Sequence, residues 1–441
     1  MSSGLALEMQ RVHGGRWKRY PAYKDSGVGW LGDVPEHWGV NRLKFLFQFL
    51  DNCRIPVAAE DRAVMAKIYP YYGASGIIDH VEDYIFDESL ILVAEDGANL
   101  LSRSTPLAFI ANGKYWVNNH AHILRPISGQ IIFWEGVLQT YEYEPLVTGA
   151  AQPKVTKENL GSILLPRPTV EEQRAIAAFL DHETGRIDVL IAKKERQIEL
   201  LREKRAALIS HAVTKGLDPN APIKDSGVEW LGEVPERWGL KRLKYLASES
   251  LKYGANESAE LDDPDLPRYI RITDIAEDGS LRVDTFKSLP EDVARPYLLK
   301  SGDILFARSG ATVGKSFIYH ESWGRACYAG YLIRLRLNSR VAAPAFLSYF
   351  ASSSAYWDWA SSIFIQATIQ NISAEKYANL SVAIPPLPEQ HVIAAFLNHA
   401  TGHIDALTTK VHESITKLRE YRTALISAAV TGKIDVRGEE T

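Results

Sequence analysis

The chain has 441 residues, 46% of them hydrophobic and 24% charged, which fits a soluble globular protein of two to four domains with sizeable cores. No apolar run is long enough to span a bilayer and no signal peptide opens the chain, while two cysteines, Cys53 and Cys327, give no disulfide framework; a cytoplasmic location with no membrane contact is expected. A net charge of −4 removes the simplest sign of nucleic-acid binding, a basic excess, but contact depends on where the basic groups sit.

In chain order the first element is a frame that returns later. Residues 24–32, Lys-Asp-Ser-Gly-Val-Gly-Trp-Leu-Gly, reappear at 224–232 with one change, and the match runs on through Val34-Pro35-Glu36 and Arg42-Leu43-Lys44 at an offset of 200. A second repeat follows each first one: Ile176–Leu180 recurs as Ile393–Leu397, and Ala207–Ser210 as Ala424–Ser427, at an offset of 217. The order is frame, variable insert, helix, then the same again. The period is far too long for a solenoid, so it denotes duplicated domains.

The first insert carries a buried-strand pattern at Ser89–Ala94, which ends in the loop Glu95-Asp96-Gly97-Ala98-Asn99. Thr169 and Glu172 then form a predicted capping box that starts a long helix. Its apolar seam runs Ile187, Ile191, Lys194, Ile198, Leu201, Arg205, Leu208, Ala212, and the copy runs Ile404, Thr408, Val411, Ile415, Leu418, Arg422, Leu425, Ala429. Both have coiled-coil spacing for nearly four heptads, interrupted at Lys194 and Thr408. The helix-pairing residues are therefore Ile187, Ile191, Ile198, Leu201 and Leu208 against Ile404, Val411, Ile415, Leu418 and Leu425, in an antiparallel pair. The alternative is that each helix packs separately on its own domain. A turn-rich boundary at Gly216–Pro222 separates the halves. In the second insert Asp303–Ala307 is a buried-strand pattern followed by Arg308-Ser309-Gly310-Ala311-Thr312, and Tyr331–Leu337 alternates as a half-exposed strand would. The tail from about Val436 is polar and expected to fray.

Apparent catalytic signals fail. Gly310–Ser316 lacks the spacing of a phosphate-binding loop and leads into a strand pattern, so no helix N-terminus is available for phosphate. His120-Ala121-His122 offers two metal ligands with no third nearby, and no His-Glu pair has the second His of a zinc-protease helix. Neither a dinucleotide fingerprint nor a methyltransferase tetrapeptide is present. The chain is expected to be non-catalytic and to hold no metal or cofactor of its own.

The whole chain resembles the specificity (S) subunit of type I restriction-modification systems. The residues carrying the likeness are Tyr20–Gly27, the two Trp-Leu-Gly-x-Val-Pro-Glu-x-Trp stretches at 30–38 and 230–238, Gly302-Asp303-Ile304-Leu305, Glu171-Glu172-Gln173 with Pro388-Glu389-Gln390, and the closing Val213-Thr214 and Val430-Thr431. The resemblance implies an α+β fold in which two strand-rich target-recognition domains, 1–165 and 217–383, are joined by conserved helical regions, 166–216 and 384–435, as a pseudo-twofold duplication. It implies double-stranded DNA, two methyltransferase (M) subunits and restriction/translocase (R) subunits as partners. S-adenosylmethionine, ATP and Mg²⁺ would then sit on those partners, giving adenine-N6 methylation and ATP-dependent cleavage. The alternative is a methylation-only or non-restricting scaffold of the same architecture. From Ile187 to Val213 a helix rises roughly 40 Å, close to the roughly 34–36 Å between half-sites one DNA turn apart.

Base contacts are expected from two stretches. In the first insert Lys114, Tyr115, Asn118, Asn119, His120 and His122 gather a cation, aromatics and amide and imidazole donors, with Gln152 and Lys154 as weaker candidates. Asn pairs with adenine and Lys or Arg with guanine in the major groove. In the second insert Arg308, Ser309 and Thr312 form a loop of mostly small residues, Lys315 and Ser316 are placed to hold phosphate, and Gln366 and Gln370 are weaker candidates. For each stretch the competing reading is a solvated loop or an internal turn.

Overall fold

The structure is a computed structural model that describes residues 17–438 apart from 150, 151, 259, 277, 278, 311 and 366–369. The chain divides into two units, one of residues 1–195 with 412–441, the other of 196–411. That division cuts through the two long helices instead of setting them apart as bodies of their own.

Each unit contains one copy of the repeated frame, and its turn explains the repeated residues. Tyr23–Asp25 pairs antiparallel with Asp33–Pro35, and Ile223–Asp225 with Glu233–Pro235. At the turn Gly27 N–H donates to Asp25 Oδ1 at 2.9 Å and Val28 N–H to Ser26 Oγ at 3.1 Å; Gly227 and Val228 repeat both bonds at 2.9 and 3.1 Å. Gly27 and Gly227 adopt φ of 69° and 67°, which a side chain disfavours, so Asp-Ser-Gly-Val is the local code of this turn. Trp38 and Trp238 are buried at the frame's exit.

In the first insert a four-stranded antiparallel sheet is built from β1 (Phe47–Phe49), β2 (Leu90–Ala94), β3 (Ala108–Ala111) and β4 (Ala121–Pro126), in the order β1-β4-β2-β3. After the long helix α1 (Val170–Lys215), the second insert gives β5 (Lys252–Tyr253), β6 (Ile304–Ala307), β7 (Ser316–Ile318) and β8 (Leu332–Leu335), in the order β5-β8-β6-β7. The two sheets share one topology although the inserts share little sequence. Strands β2 and β6 are buried along their whole length, as expected of them. The alternation at 331–337 misleads: β8 is buried on both faces, and Arg334 lies inside, held by Glu249 at 2.9 Å and the Leu298 carbonyl at 3.3 Å. Its buried charge is tolerated because an anion and a carbonyl meet it.

The chain closes with α2 (Leu387–Val430), and within each unit segments of α1 and α2 run side by side. In the first unit Asp188 pairs with Arg422 and Glu195 with Arg419; the index rises on one helix as it falls on the other, so the pair is antiparallel. In the second unit Arg205 reaches Asp405, and Ile209, Ala212 and Val213 share a core with Ile393 and Leu397. Arg205 and Arg422, which fall within the seams, each make two hydrogen bonds to their aspartate, at 2.9 and 3.4 Å and at 3.0 and 3.3 Å. Thr408 satisfies its hydroxyl on the Ile404 carbonyl, 2.9 Å away. Among the pairing residues Ile187, Ile198, Ile404, Val411, Ile415 and Leu425 are buried, while Ile191, Leu201, Leu208 and Leu418 are half-buried.

Two expectations at helix ends are corrected. Thr169 Oγ1 accepts the Glu172 N–H at 3.2 Å, but the Glu172 carboxylate turns to His37, 2.9 Å away, so only half of the box forms. The tail is packed as far as Arg437. Val436 is buried, Asp435 N–H bonds the Lys18 carbonyl at 2.8 Å, and Arg437 lies over the Tyr20 ring. Both helices end on glycines of positive φ beside a frame tryptophan: a Cβ on Gly216 would meet Trp238 at 3.3 Å, and one on Gly432 would meet Trp38 at 3.1 Å and Pro35 at 2.4 Å.

Candidate nucleic-acid interface

Backbone hydrogen bonds align the two inserts residue by residue. Where the chain leaves β2, Glu95 N–H donates to the His120 carbonyl at 3.0 Å and the Glu95 carbonyl accepts from Val155 at 2.8 Å. Where it leaves β6, Arg308 N–H donates to the Tyr331 carbonyl at 3.0 Å and the Arg308 carbonyl accepts from Ile372 at 2.9 Å. The next residues pair in the same way, Asp96 with Lys154 and Ser309 with Asn371. Just beyond, Thr156 and Ser373 each cap a short helix through the side-chain oxygen. Three segments thus converge in each insert: the exit of the central strand, the approach to the last strand, and the run into a capped helix. In the first insert they gather the predicted Asn119, His120, Gln152 and Lys154. In the second they gather Arg308 and Ser309 with Tyr331, Gln370 and Asn371.

The first cluster is charge-rich and self-paired. Glu95 is only 7% exposed; it meets the Arg54 guanidinium and, at 3.0 Å, Lys154 Nζ. Burial pushes the Glu95 carboxyl up, but the hydrogen bonds from Arg54 and Lys154 outweigh it and hold the group below its ordinary range. His120 is exposed and its Nδ1 lies 2.9 Å from Asp96. Asn119 and Gln152 are exposed.

Three expected contacts belong to the interior instead. Tyr115 is fully buried between Phe86 and Tyr72, with ring centroids 5.5 and 5.4 Å away, and burial drives its phenol up. Asn118 is 4% exposed, and its Oδ1 accepts the His120 N–H at 2.8 Å to fix the turn. His122 is 1% exposed, its Nδ1 2.8 Å from Asp51 and its Nε2 2.9 Å from the Val155 carbonyl. Carboxylate and carbonyl acceptors already engage these histidines, and among the described residues no group of three ligands is placed to hold a metal ion. Lys114 is exposed, its ammonium over the Tyr84 ring at 4.5 Å, at the start of the strand whose far end leads to Asn118.

The second cluster is open. Arg308 sits over the Tyr253 ring, 4.7 Å from its centroid, and Tyr253 Oη is fixed by the Ala374 N–H at 3.0 Å. Arg308 Nε and Asn371 Oδ1 are buried without a partner. Tyr331 is 63% exposed and Ser309 half-buried. Thr312 serves the β6–β7 turn, its carbonyl accepting from Lys315 N–H at 3.0 Å. Lys315 and Ser316 line a cleft with Arg205, His320, Tyr349 and Asp405, in which Arg308 takes no part. Gln366 lies outside the described residues.

Sequence reasoning missed Arg54, Asp51, Glu95, Asp96, Tyr253, Tyr331 and Asn371. A signal existed for the exit residues: both loops follow an all-apolar strand and carry Gly two residues later, at Gly97 and Gly310. Tyr253 lies 55 residues before Arg308 and had no local signal.

A family model described as the type I restriction modification DNA specificity domain matches residues 35–200 and 236–417. The chain is 27% identical over 401 residues to a putative type I restriction enzyme specificity subunit of Haemophilus influenzae, covering 86% of this chain and 92% of that one. It is 24% identical over 436 residues to the MjaVIII specificity subunit of Methanocaldococcus jannaschii, covering 92% and 94%. A solved chain from a type I R-M system, 16% identical, superimposes with a TM-score of 0.64 over 90% of this chain and 98% of its own, a likeness of fold.

Proposed function

This chain belongs to the type I restriction-modification DNA specificity family, and from that premise we propose how its two inserts divide the work. Each reads one half of a bipartite, asymmetric DNA target through the loops that converge beyond β2 and β6. The observation that carries this reading is one sheet topology used twice, with unlike side chains at equivalent loop positions. Equal scaffolds with unequal loops recognise unequal half-sites. In the first insert Asn119, His120, Gln152 and Lys154 are the groups available to bases and phosphates; in the second they are Arg308, Ser309, Tyr331 and Gln370.

The chain supplies recognition and the partners supply the chemistry. Two methyltransferase subunits and the restriction/translocase subunits assemble on it in this reading, bringing S-adenosylmethionine, ATP and Mg²⁺. Among the described residues no helix is long and apolar enough to cross a membrane. Lys315 and Ser316, beside the helix pair, act on phosphate or on a partner and leave base readout to the loop clusters.

The test is the methylome of cells that carry this gene with its methyltransferase. The expected motif is two short, dissimilar half-sites separated by a fixed gap, with one methylated adenine in each. A continuous palindrome would overturn the two-reader account.

A further inference from the structure

We propose that the residue leaving the central strand is a specificity-determining position, neutralised in the first insert at Glu95 and used in the second, where Arg308 binds a guanine of the half-site. The inference rests on the proposed function, since it names a base contact within one of the two reading surfaces.

Several observations carry it together. Residues 95 and 308 are equivalent by their backbone hydrogen bonds on both sides, to His120 and Val155 in one insert and to Tyr331 and Ile372 in the other. The charge at that position is inverted. Glu95 is buried, and Arg54 and Lys154 consume its acceptors. Arg308, by contrast, has no carboxylate within ion-pair distance among the described residues, and its side chain makes no hydrogen bond there. Its Nε is enclosed, whereas the terminal nitrogens are not among the buried unpaired atoms, so they are what remains for a ligand.

The guanidinium is also held in place before any ligand arrives. It lies 4.7 Å from the centre of the Tyr253 ring, and that ring is anchored through its hydroxyl to the amide of Ala374. A cation over an aromatic face is attracted to it and loses less freedom on binding. The buried, unpaired Oδ1 of Asn371 belongs to the same cluster, because residue 371 bridges to Ser309. Planar paired donors of this kind match the O6 and N7 acceptors of guanine in the major groove. A phosphate would accept the same donors. Phosphates are identical in both half-sites, however, so a backbone contact gives no reason for opposite charges at equivalent positions. Bases do differ, and the inversion therefore favours a base.

The experiment uses the full chain assembled with its methyltransferase subunits. Affinity is measured on duplexes in which each base pair of the methylated motif is replaced in turn, for the wild type, Arg308→Ala, Arg308→Lys and Tyr253→Leu. The wild type is expected to prefer guanine at one position of the second half-site by about ten- to a hundredfold. Arg308→Ala should lose that preference and keep discrimination at every other position, including the whole first half-site. Arg308→Lys should retain more affinity than discrimination, and Tyr253→Leu should weaken the same position alone. Thermal unfolding of each assembled complex verifies folding. If Arg308→Ala does not assemble, the lysine and leucine variants decide the matter, since each keeps the cation.

A uniform loss of affinity across all sequences would make Arg308 a phosphate contact and overturn the inference, as would unchanged preferences in the variants. Both outcomes leave the proposed function standing if the wild type still reads two half-sites. A wild type without a bipartite preference overturns the proposed function itself.

Discussion

Exchanging residues 43–163 for the corresponding segment of a relative with a different target will change one half of the methylated motif and leave the other half intact. The boundaries follow from the way the insert is held. Gly39–Arg42 pairs with Leu164–Arg167, and just inside that pair Leu43 N–H bonds the Ile163 carbonyl at 2.9 Å. The second insert is closed alike, by Gly239–Arg242 with Ser381–Ile384 and by Leu243 N–H to the Leu380 carbonyl at 3.0 Å. A graft cut inside these pairs keeps the closing strand pair and the α1–α2 ion pairs, while the donor segment has to supply its own counterpart of the helix Ile131–Thr140, which packs on Leu180, Ile426 and Val430. Affinity for the original site should fall by roughly a thousandfold or more, the usual gap between specific and non-specific binding. Methylome mapping of the exchange decides it. Both halves changing together, or neither, would mean that the inserts do not read independently.

Replacing Leu425 by Ala will destabilise the first unit by about 3 kcal/mol, within the range for a buried Leu whose surroundings relax only in part. Leu425 is fully buried in a cluster with Leu180, Ile187 and Ile426. For a unit of this size that corresponds to a fall of roughly 6–12 °C in its unfolding transition. Leu201→Ala should cost clearly less, because Leu201 is half-buried. The comparison separates burial from heptad position, since both residues occupy the seam. Thermal unfolding of the two variants measures it, and equal shifts would show that seam position, not enclosure, sets the contribution.

Much of the architecture was legible because it rests on short-range signals. The duplicated frame repeats a turn code spelled in four residues, Asp25–Val28 and Asp225–Val228. The two long helices repeat a spacing of three and four, and β2 and β6 are continuous apolar runs. Three of the failures share one cause: the deciding partner is far away in the chain. His122 reads as a donor for DNA until Asp51, 71 residues earlier, takes its Nδ1. Glu172 reads as the second half of a capping box until His37, 135 residues earlier, claims it. Arg334 reads as the exposed face of a strand until Glu249 and the Leu298 carbonyl enclose it. The correspondence between the inserts was invisible for a different reason. It is written in backbone hydrogen bonds, which any residue other than proline can make, so it leaves little trace in residue identity.

The glycines that follow α1 and α2 seat each helix end on a frame in the same way. Past Gly216 the chain continues by covalent bonds into the frame that holds Trp238. Past Gly432 it arrives beside the frame that holds Trp38, where Lys433 Nζ bonds the Leu31 carbonyl at 2.9 Å and Asp435 pairs with Lys18. The second junction repeats the first without a peptide link. Within each unit, among the described residues, a helix end is docked on a frame in the same way, by a peptide link after Gly216 and by non-covalent contacts at Gly432 and Lys433. A circular permutant opened at the other junction would keep the same surfaces while listing them in reverse.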